Sequence, residues 1–193
     1  MAFNLNDFRN KLVRGGARPT QFEMALTWPD AVRGVVGVSD AERDFRFFCT
    51  ISQIPGEEVK KLPMKYFGRT LNWVGDRDWE DLTLTVVNDE DFKVRKAIAS
   101  WMRAMQAYEA TTSVFNGSNA AGGYATDGVV TQFSRNEGGS PLHSFKFVGM
   151  FPVKLNAIEL GWEKVDTMEQ FTVNFAYQWV EPIDASTGAL ITA

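Results

Sequence analysis

Residues Leu62 to Met105 read LPMKYFGRTLNWVGDRDWEDLTLTVVNDEDFKVRKAIASWMRAM, and this segment organises the chain. Between Tyr66 and Val74 every second residue faces the same side, which is typical of a strand. A compact charged run, Gly75-Asp76-Arg77-Asp78, predicts a turn, and a second alternating run predicts a strand from Leu82 to Val87. The segment therefore begins as strand, turn, strand.

A helix is predicted directly after the second strand. Asn88 and Asp89 can accept hydrogen bonds from the first amides of a helix, and Glu90 and Asp91 suit its positive end. The apolar positions that follow recur at the spacing of one helix face: Val94, Ile98, Trp101, Met102 and Met105. This helix is expected to pack on the sheet.

Composition sets the class of protein. The 193 residues, 45% of them hydrophobic, predict a single domain spanning 1–193 with a real core. A net charge of −4 argues against a protein that grips nucleic-acid phosphates. The one cysteine, Cys49, permits no internal disulfide and is expected to be buried in a strand. No apolar run approaches the roughly 18 to 20 residues that span a bilayer, so we expect a soluble protein made in the cytoplasm.

The remaining segments add strands and loops around the central unit. We predict an N-terminal arm with a short helix, 1–18; strands at 21–28, 45–51, 128–133, 145–151, 155–162 and 168–179; loops or insertions at 29–44 and 111–127; and a C-terminal tail, 181–193. Segment 29–44 fits either a long hairpin loop or two short edge strands. Seven or eight strands against one substantial helix predict a mainly β fold, an antiparallel β-barrel or sandwich with one packed α-helix.

Two strands carry a small polar face opposite an apolar one. The polar residues are Thr83, Thr85, Thr172, Asn174 and Gln178. Their neighbours on the other face are apolar, such as Leu84, Phe171 and Val173. In a closed barrel the apolar stripe must face the helix-covered core, so the polar set is predicted to face a water-filled lumen.

Residues with catalytic or metal-binding chemistry are few. The single histidine, His143, lies in a predicted polar turn with no carboxylate near it in sequence, so a Ser/His pair is not supported. The acidic run from Asp76 to Asp81 has Asp81 where a calcium loop needs glycine and Val87 where it needs glutamate. We predict no enzyme, no metal and no cofactor. Asp76, Arg77 and Asp78 are expected to form turn hydrogen bonds or an ion pair between subunits.

The central segment resembles the tail tube protein family of contractile-tailed bacteriophages. The matching residues are Leu62-Pro63, Phe67-Gly68-Arg69, Val74-Gly75-Asp76-Arg77, Trp79, Thr83 to Val87, Asn88-Asp89-Glu90, Arg95 and Trp101. Weaker matches extend the resemblance over most of the chain. The chain departs from shorter members at 29–44, at 111–127 and after Glu181.

The resemblance implies a structural role. It implies a β-barrel-like subunit that forms homohexameric rings, whose inner strands join into one larger barrel and which stack into a hollow tube. Implied partners are further copies of the chain, a tail sheath protein, a tape-measure protein, and baseplate and tail-terminator proteins. Double-stranded DNA would pass through without specific binding, no membrane is involved, and the location is the virion tail, assembled in the host cytoplasm. The alternatives are the inner tube of a phage-derived contractile injection system and a monomeric ligand-binding β-sandwich.

Overall fold

The computed structural model describes residues 5–11, 16–33, 38–106, 123–135, 139–163, 165–184 and 189–191. Its elements, in chain order, are α1 (Leu5–Lys11), β1 (Phe22–Leu26), α2 (Asp30–Arg33), α3 (Val38–Phe48), β2 (Cys49–Ile51), β3 (Glu57–Tyr66), β4 (Arg69–Trp79), β5 (Leu82–Val87), α4 (Lys93–Met105), β6 (Thr126–Phe133), β7 (Pro141–Leu155), β8 (Gln170–Ala176) and β9 (Trp179–Ile183).

One antiparallel sheet forms the body. Its strand order is β1-β6-β7-β8-β5-β2, and β9 pairs with β7. The long strand β7 pairs with β6 through its first part and with β8 at its end, so the sheet curls into a nearly closed barrel. The prediction of a mainly β fold is confirmed. Strands β3 and β4 form a separate two-stranded hairpin.

The core lies between the curled sheet and the helices. Alternate residues of β5 and β8 are buried, as the period-two pattern predicted: Leu82, Leu84, Val86, Phe171, Val173 and Phe175. Four buried aromatic rings, Trp28, Phe45, Trp101 and Phe175, join the helices to the sheet. The Trp101 ring centroid lies 5.9 Å from that of Trp28 and 6.1 Å from that of Phe175. Burial of such rings is the main source of helix docking.

The predicted start of helix α4 is confirmed only in part. Asn88 does not cap the helix, because its side-chain amide donates to Glu169 Oε1 at 2.6 Å. The Asp89 Oδ1 atom accepts a hydrogen bond from the Lys93 backbone N–H at 3.0 Å, which satisfies one of the free amides at the helix start. Val94, Ala97, Ile98 and Trp101 form its buried face. The predicted helix and its contact with the sheet are confirmed.

The predicted turn at Gly75-Asp78 is wrong. These residues lie inside β4, and the chain reverses instead at Phe67-Gly68, between paired residues Tyr66 and Arg69. Phe67 and Gly68 have φ values of 44° and 76°, the positive values that a tight two-residue hairpin turn requires. The run from Tyr66 to Val74, predicted as one strand, therefore contains the turn and the start of β4.

Gly75 has a different role from the one predicted. The pairing of β3 with β4 shifts register between Val59 and Lys61, which marks a bulge. A Cβ atom at Gly75 would lie 2.6 Å from the Lys60 carbonyl oxygen. The glycine is needed because two backbones approach closely there, and not because the chain turns.

The second substantial helix, α3, was not predicted. The described parts of 29–44 are the helices α2 and α3, neither a hairpin loop nor edge strands. The segment 45–51, predicted as a strand, is helical to Phe48, and only Cys49–Ile51 is extended. Ala41 and Phe45 lie one helical turn apart and are both buried, so they form the face of α3 that packs in the core. Cys49 is buried in β2, as predicted.

Three boundaries near the C-terminus also differ from prediction. Strand β7 ends at Leu155, so 156–162 is not a strand. The predicted strand 168–179 is β8 followed by a break and the start of β9. Because β9 continues to Ile183, the predicted tail from residue 181 begins later. Residues 111–122 of the predicted loop lie outside the described residues.

Candidate assembly surfaces

Four of the five predicted lumen residues form one patch. Strands β5 and β8 pair so that Thr83 lies opposite Asn174 and Thr85 lies opposite Thr172. All four are half-buried and lie on the face opposite the buried stripe. These four side chains are uncharged and face away from the aromatic core. The pattern of polar and apolar faces is confirmed, and the lumen location stays a prediction.

Gln178 does not share this patch. It follows the end of β8, and its backbone N–H donates to the Val148 carbonyl oxygen at 2.9 Å. The alternation of side chains between two faces, which the sequence predicted up to residue 179, therefore ends at Ala176. A residue that sequence reasoning missed joins the patch instead: Lys154 of β7 lies opposite Asn174 and is exposed. A cation at the edge of the patch was not foreseeable, because the pairing of β7 with β8 is set by the fold.

The hairpin β3–β4 is a long surface that lies exposed in the described part of the subunit. Every residue from Glu57 to Asp78 is exposed except the half-buried Gly75. Many of the exposed side chains are large and apolar: Val59, Leu62, Met64, Tyr66, Phe67, Leu71, Trp73 and Val74. A folded monomer rarely leaves so many large apolar side chains together in water, so this surface is suited to a protein contact.

The hairpin turn presents an aromatic side chain in a strained conformation. Phe67 is 89% exposed and has a positive φ, where asparagine or glycine is normally found. Its ring meets the Tyr66 ring edge to face, with centroids 4.6 Å apart. Neither feature serves the core. The strained, exposed aromatic pair supports a contact function at the turn.

The predicted interface charges pair within the chain. The Lys60 Nζ atom lies 2.6 Å from Asp78 Oδ2, and Arg77 Nη1 lies 3.5 Å from Glu57 Oε2. The hydrogen bond and charge of Lys60 hold the pKa of Asp78 below its ordinary value. These cross-strand pairs replace the expected turn hydrogen bonds. The two ion pairs link β3 to β4 at the base of the hairpin. A role for Asp76, Arg77 and Asp78 between subunits stays a prediction.

The sheet has open edges. Among the described residues, β1 pairs only with β6, and β2 pairs only with β5. Within the described residues, each therefore has one side that pairs with no other strand. Unpaired edges of this kind are where subunits join by strand addition.

Catalytic and metal-binding groups are not gathered in the described part of the chain. His143 lies in β7, not in the predicted polar turn, and its ring packs on Phe145 with centroids 4.6 Å apart. Within those residues no three or more histidine, cysteine or acidic side chains stand close enough to hold a metal ion. None of the helices described is both long and apolar enough to cross a bilayer.

Comparison with known proteins gives a consistent result. A family described as "Phage tail tube protein" matches residues 17–180. The chain is 25% identical to the tail tube protein gp19 of Enterobacteria phage T4, over 93% of this chain and 95% of that protein. It is 22% identical to the tail tube protein of Serratia phage KSP90, over 90% of this chain and 93% of that protein.

Solved structures with the same fold come from contractile injection systems. The sheath-tube complex of an extracellular contractile injection system contains a chain with a TM-score of 0.54 and 11% identity, covering 94% of this chain and 98% of that one. The tube-terminating cap of the anti-feeding prophage contains a chain with a TM-score of 0.59 and 14% identity, covering 86% and 89%. At these identities the likeness concerns the fold alone.

Proposed function

The chain belongs to the phage tail tube protein family, and from that membership we propose that its copies form six-membered rings that stack into the inner tube of a contractile tail. The family is structural and non-enzymatic. In the proposed role the chain is a wall element of a conduit through which DNA leaves the virion. The protein would be assembled in the host cytoplasm and reside in the virion tail.

The observation that carries the proposal is the exposed hairpin β3–β4. Each of its strands has ten or more residues, so the hairpin is about 30 Å long. An isolated two-stranded hairpin is marginally stable in water, and this one exposes an apolar surface in addition. Contact with neighbouring copies would stabilise the hairpin and remove that surface from water.

The open edges support ring closure. A ring of identical subunits can pair the free edge of one copy with a free edge of the next, and closure leaves none unpaired. Strands β1 and β2 end the strand order on opposite sides, so they are available for such head-to-tail pairing. The rings would then share a continuous inner sheet.

The polar patch on β5 and β8 supports a conduit role. Thr83, Thr85, Thr172 and Asn174 can meet water without presenting a large positive charge to phosphate. A strongly basic lumen would hold DNA by counterion release, whereas an overall acidic subunit with net charge −4 repels it weakly. We therefore place this patch on the lumen side, with DNA passing but not specifically bound.

The partners proposed for the tube follow from its place in a contractile tail. A sheath protein would surround the tube, a tape-measure protein would occupy it during assembly, and baseplate and terminator proteins would cap its ends. Two of the structures with the same fold come from a sheath-tube complex and from a tube-terminating cap. These assemblies were seen for those proteins, and for this chain they are part of the proposal. The alternative is that the chain forms the inner tube of a phage-derived injection system. A tube attached to DNA-filled heads would identify a phage tail, and a tube without such heads would identify an injection system.

Negative-stain microscopy and light scattering of the purified protein test the proposal. We expect rings or tubes of uniform width in concentrated, low-salt solution. A variant carrying Tyr66→Ser and Phe67→Asn removes the aromatic pair at a position where asparagine tolerates positive φ, and should remain folded but assemble poorly. A folded wild-type protein that stays at 21.6 kDa at all concentrations would contradict the proposal and favour the monomeric β-sandwich.

A further inference from the structure

One charged residue, Lys154, stands among four neighbouring strands that otherwise carry no charge. Strands β2, β5 and β8 contain no aspartate, glutamate, lysine or arginine, and the part of β7 that pairs with β8, residues 151–155, contains Lys154 alone. Charged residues make up 23% of the whole chain. Because charged side chains usually occupy the exposed positions of a protein, the composition of these strands sets their outer face apart.

Strand pairing places the Lys154 side chain on the polar face. Lys154 lies opposite Asn174, and the next residue, Leu155, lies opposite Val173. Residues directly opposite each other in an antiparallel pair share a face. Val173 is buried and Leu155 packs against the core, so Lys154 and Asn174 face the other way. Thr83 lies opposite Asn174 on β5, so one polar row crosses three strands.

The ammonium group of Lys154 is available for a contact outside the subunit. The residue is exposed, and within the described part of the chain it forms no hydrogen bond or ion pair through its side chain. Lys146 of the same strand differs, since its Nζ atom lies 2.9 Å from Asp127 Oδ2. The charge of Lys146 is therefore compensated within the chain, whereas no described carboxylate compensates that of Lys154.

The groups in this row have the chemistry of a phosphate contact. A lysine ammonium attracts a phosphate as a point charge, and threonine hydroxyl and asparagine amide groups donate hydrogen bonds to phosphate oxygens without adding charge. Such contacts go to the backbone of a nucleic acid and do not read its sequence. With one cation per copy, each contact is weak and is easily broken by salt.

We propose that Lys154 is the residue through which the tube lumen contacts the phosphate backbone of passing DNA. The inference rests on the proposed function, in which the polar patch on β5 and β8 faces the lumen, and it names the residue that touches the DNA. Each copy contributes one lysine, so the DNA meets separate cations and not a continuous basic surface. These cations offset the repulsion from subunits of net charge −4, and each contact breaks readily as the DNA moves.

Retention of DNA by assembled tubes tests the contact. Tubes of the purified protein are sedimented with a fluorescent DNA duplex of about 20 base pairs over a range of salt concentrations, where each phosphate contact adds about −0.9 to the slope of log affinity against log salt. Lys154→Gln should lower retention at low salt about fivefold or more and bring the slope closer to zero. Lys154→Arg keeps the positive charge and should retain the duplex as the parent does.

Lys96 provides the matched control. It is exposed on α4, the helix that packs on the core side of β8 through the contact between Trp101 and Phe175. Lys96→Gln changes the net charge of the subunit by the same amount as Lys154→Gln, but at a site away from the polar face. It should leave retention of the duplex unchanged, so the pair of variants separates a local contact from an effect of net charge.

Labelling by size tests the location. In tubes of Lys154→Cys, N-ethylmaleimide should react and a maleimide on a polymer too large to enter the lumen should not, whereas Lys96→Cys should react with both. Cys49 is buried, so it adds little background.

Three results would overturn the role of Lys154 and leave the proposed tube intact: wild-type tubes that retain no duplex, retention that Lys154→Gln lowers no more than Lys96→Gln does, and polymer labelling of Lys154→Cys in tubes. A wild-type protein that forms no tubes would overturn the proposed function and this inference with it.

Discussion

The indole nitrogen of Trp101 donates a hydrogen bond to the backbone carbonyl oxygen of Tyr124 at 2.7 Å. This bond ties the centre of α4 to the segment that leads into β6, while the Trp101 ring packs between Trp28 and Phe175. A fully buried indole with its one polar atom satisfied both anchors the helix and avoids the cost of an unpaired donor.

Trp101→Ala should lower the free energy of unfolding by about 3 to 5 kcal/mol, because it leaves a large cavity. Trp101→Phe should cost less, since it keeps most of the ring and loses the hydrogen bond. Chemical denaturation of the soluble subunit measures both. Phe47→Ala is the control, because Phe47 lies exposed on α3. If Trp101→Ala has the same free energy of unfolding as the parent protein, the Trp101 ring does not hold the helix on the sheet.

Gly75→Ala should disrupt the hairpin and reduce assembly while leaving the barrel folded. The added methyl group would lie 2.6 Å from the Lys60 carbonyl oxygen, a contact that backbone atoms cannot accept. Gly56→Ala is the matched control, since a Cβ there meets nothing within 4 Å. Microscopy reports assembly, and circular dichroism melting reports the barrel. Normal tubes from Gly75→Ala would show that the hairpin base tolerates the strain.

Arg77→Glu should leave the subunit folded and block tube growth, because its effect repeats in every copy even though one exposed ion pair is weak. The structure supplies a second variant that locates the cause. If Arg77 acts only through Glu57 in its own chain, adding Glu57→Arg should restore tubes. If Arg77 bridges copies, the double variant should stay blocked. Tubes of normal length from Arg77→Glu alone would mean that Arg77 forms only a solvent-exposed ion pair with Glu57 and has no role in assembly.

Thr172→Lys with Asn174→Lys should slow DNA delivery by phage particles that still assemble. The two lysines would join Lys154 on one face and place a ring of positive charge in each layer, which attracts phosphate. The defect should ease as salt rises and screens the charges. Thr172→Ser with Asn174→Gln is the neutral control. Normal, salt-independent delivery by the lysine variant would mean that this patch does not face the DNA.

Burial raises the pKa of the Cys49 thiol from its ordinary value of 9.0 to about 12. The folded protein therefore holds this thiol neutral where the unfolded chain ionises it. The resulting stability is complete below pH 9 and is lost as the pH rises toward 12. Iodoacetamide should label Cys49 slowly at pH 8 and rapidly after denaturation. Cys49→Ala should reduce the loss of stability above pH 9, and equal labelling rates in both states would contradict the burial.

Local patterns determined much of this fold. The alternation in β5 and β8 separates buried Leu84 and Val173 from the polar face, because neighbouring residues of any strand point to opposite sides. The spacing of apolar residues in α4, together with Asp89 before it, predicted the helix and its start. Composition and the resemblance of the central segment were enough to indicate a structural, assembling protein.

Only the tertiary structure decided the features that depend on contacts between distant residues. The sequence around Gly75 predicts a turn, but in the structure Gly75 lies in a strand beside the Lys60 backbone. The sequence around Phe67-Gly68 predicts a strand, but the pairing of β3 with β4 makes these residues the turn. Phe45 lies in an alternating run, yet it belongs to helix α3, where its ring packs against the Trp28 ring with centroids 6.1 Å apart. The placement of Leu82 opposite Phe175 and of Val87 opposite Gln170 likewise follows from the register of β5 with β8, which joins residues about 90 positions apart. Local periodicity sets which side a residue faces, and long-range pairing sets what it meets there.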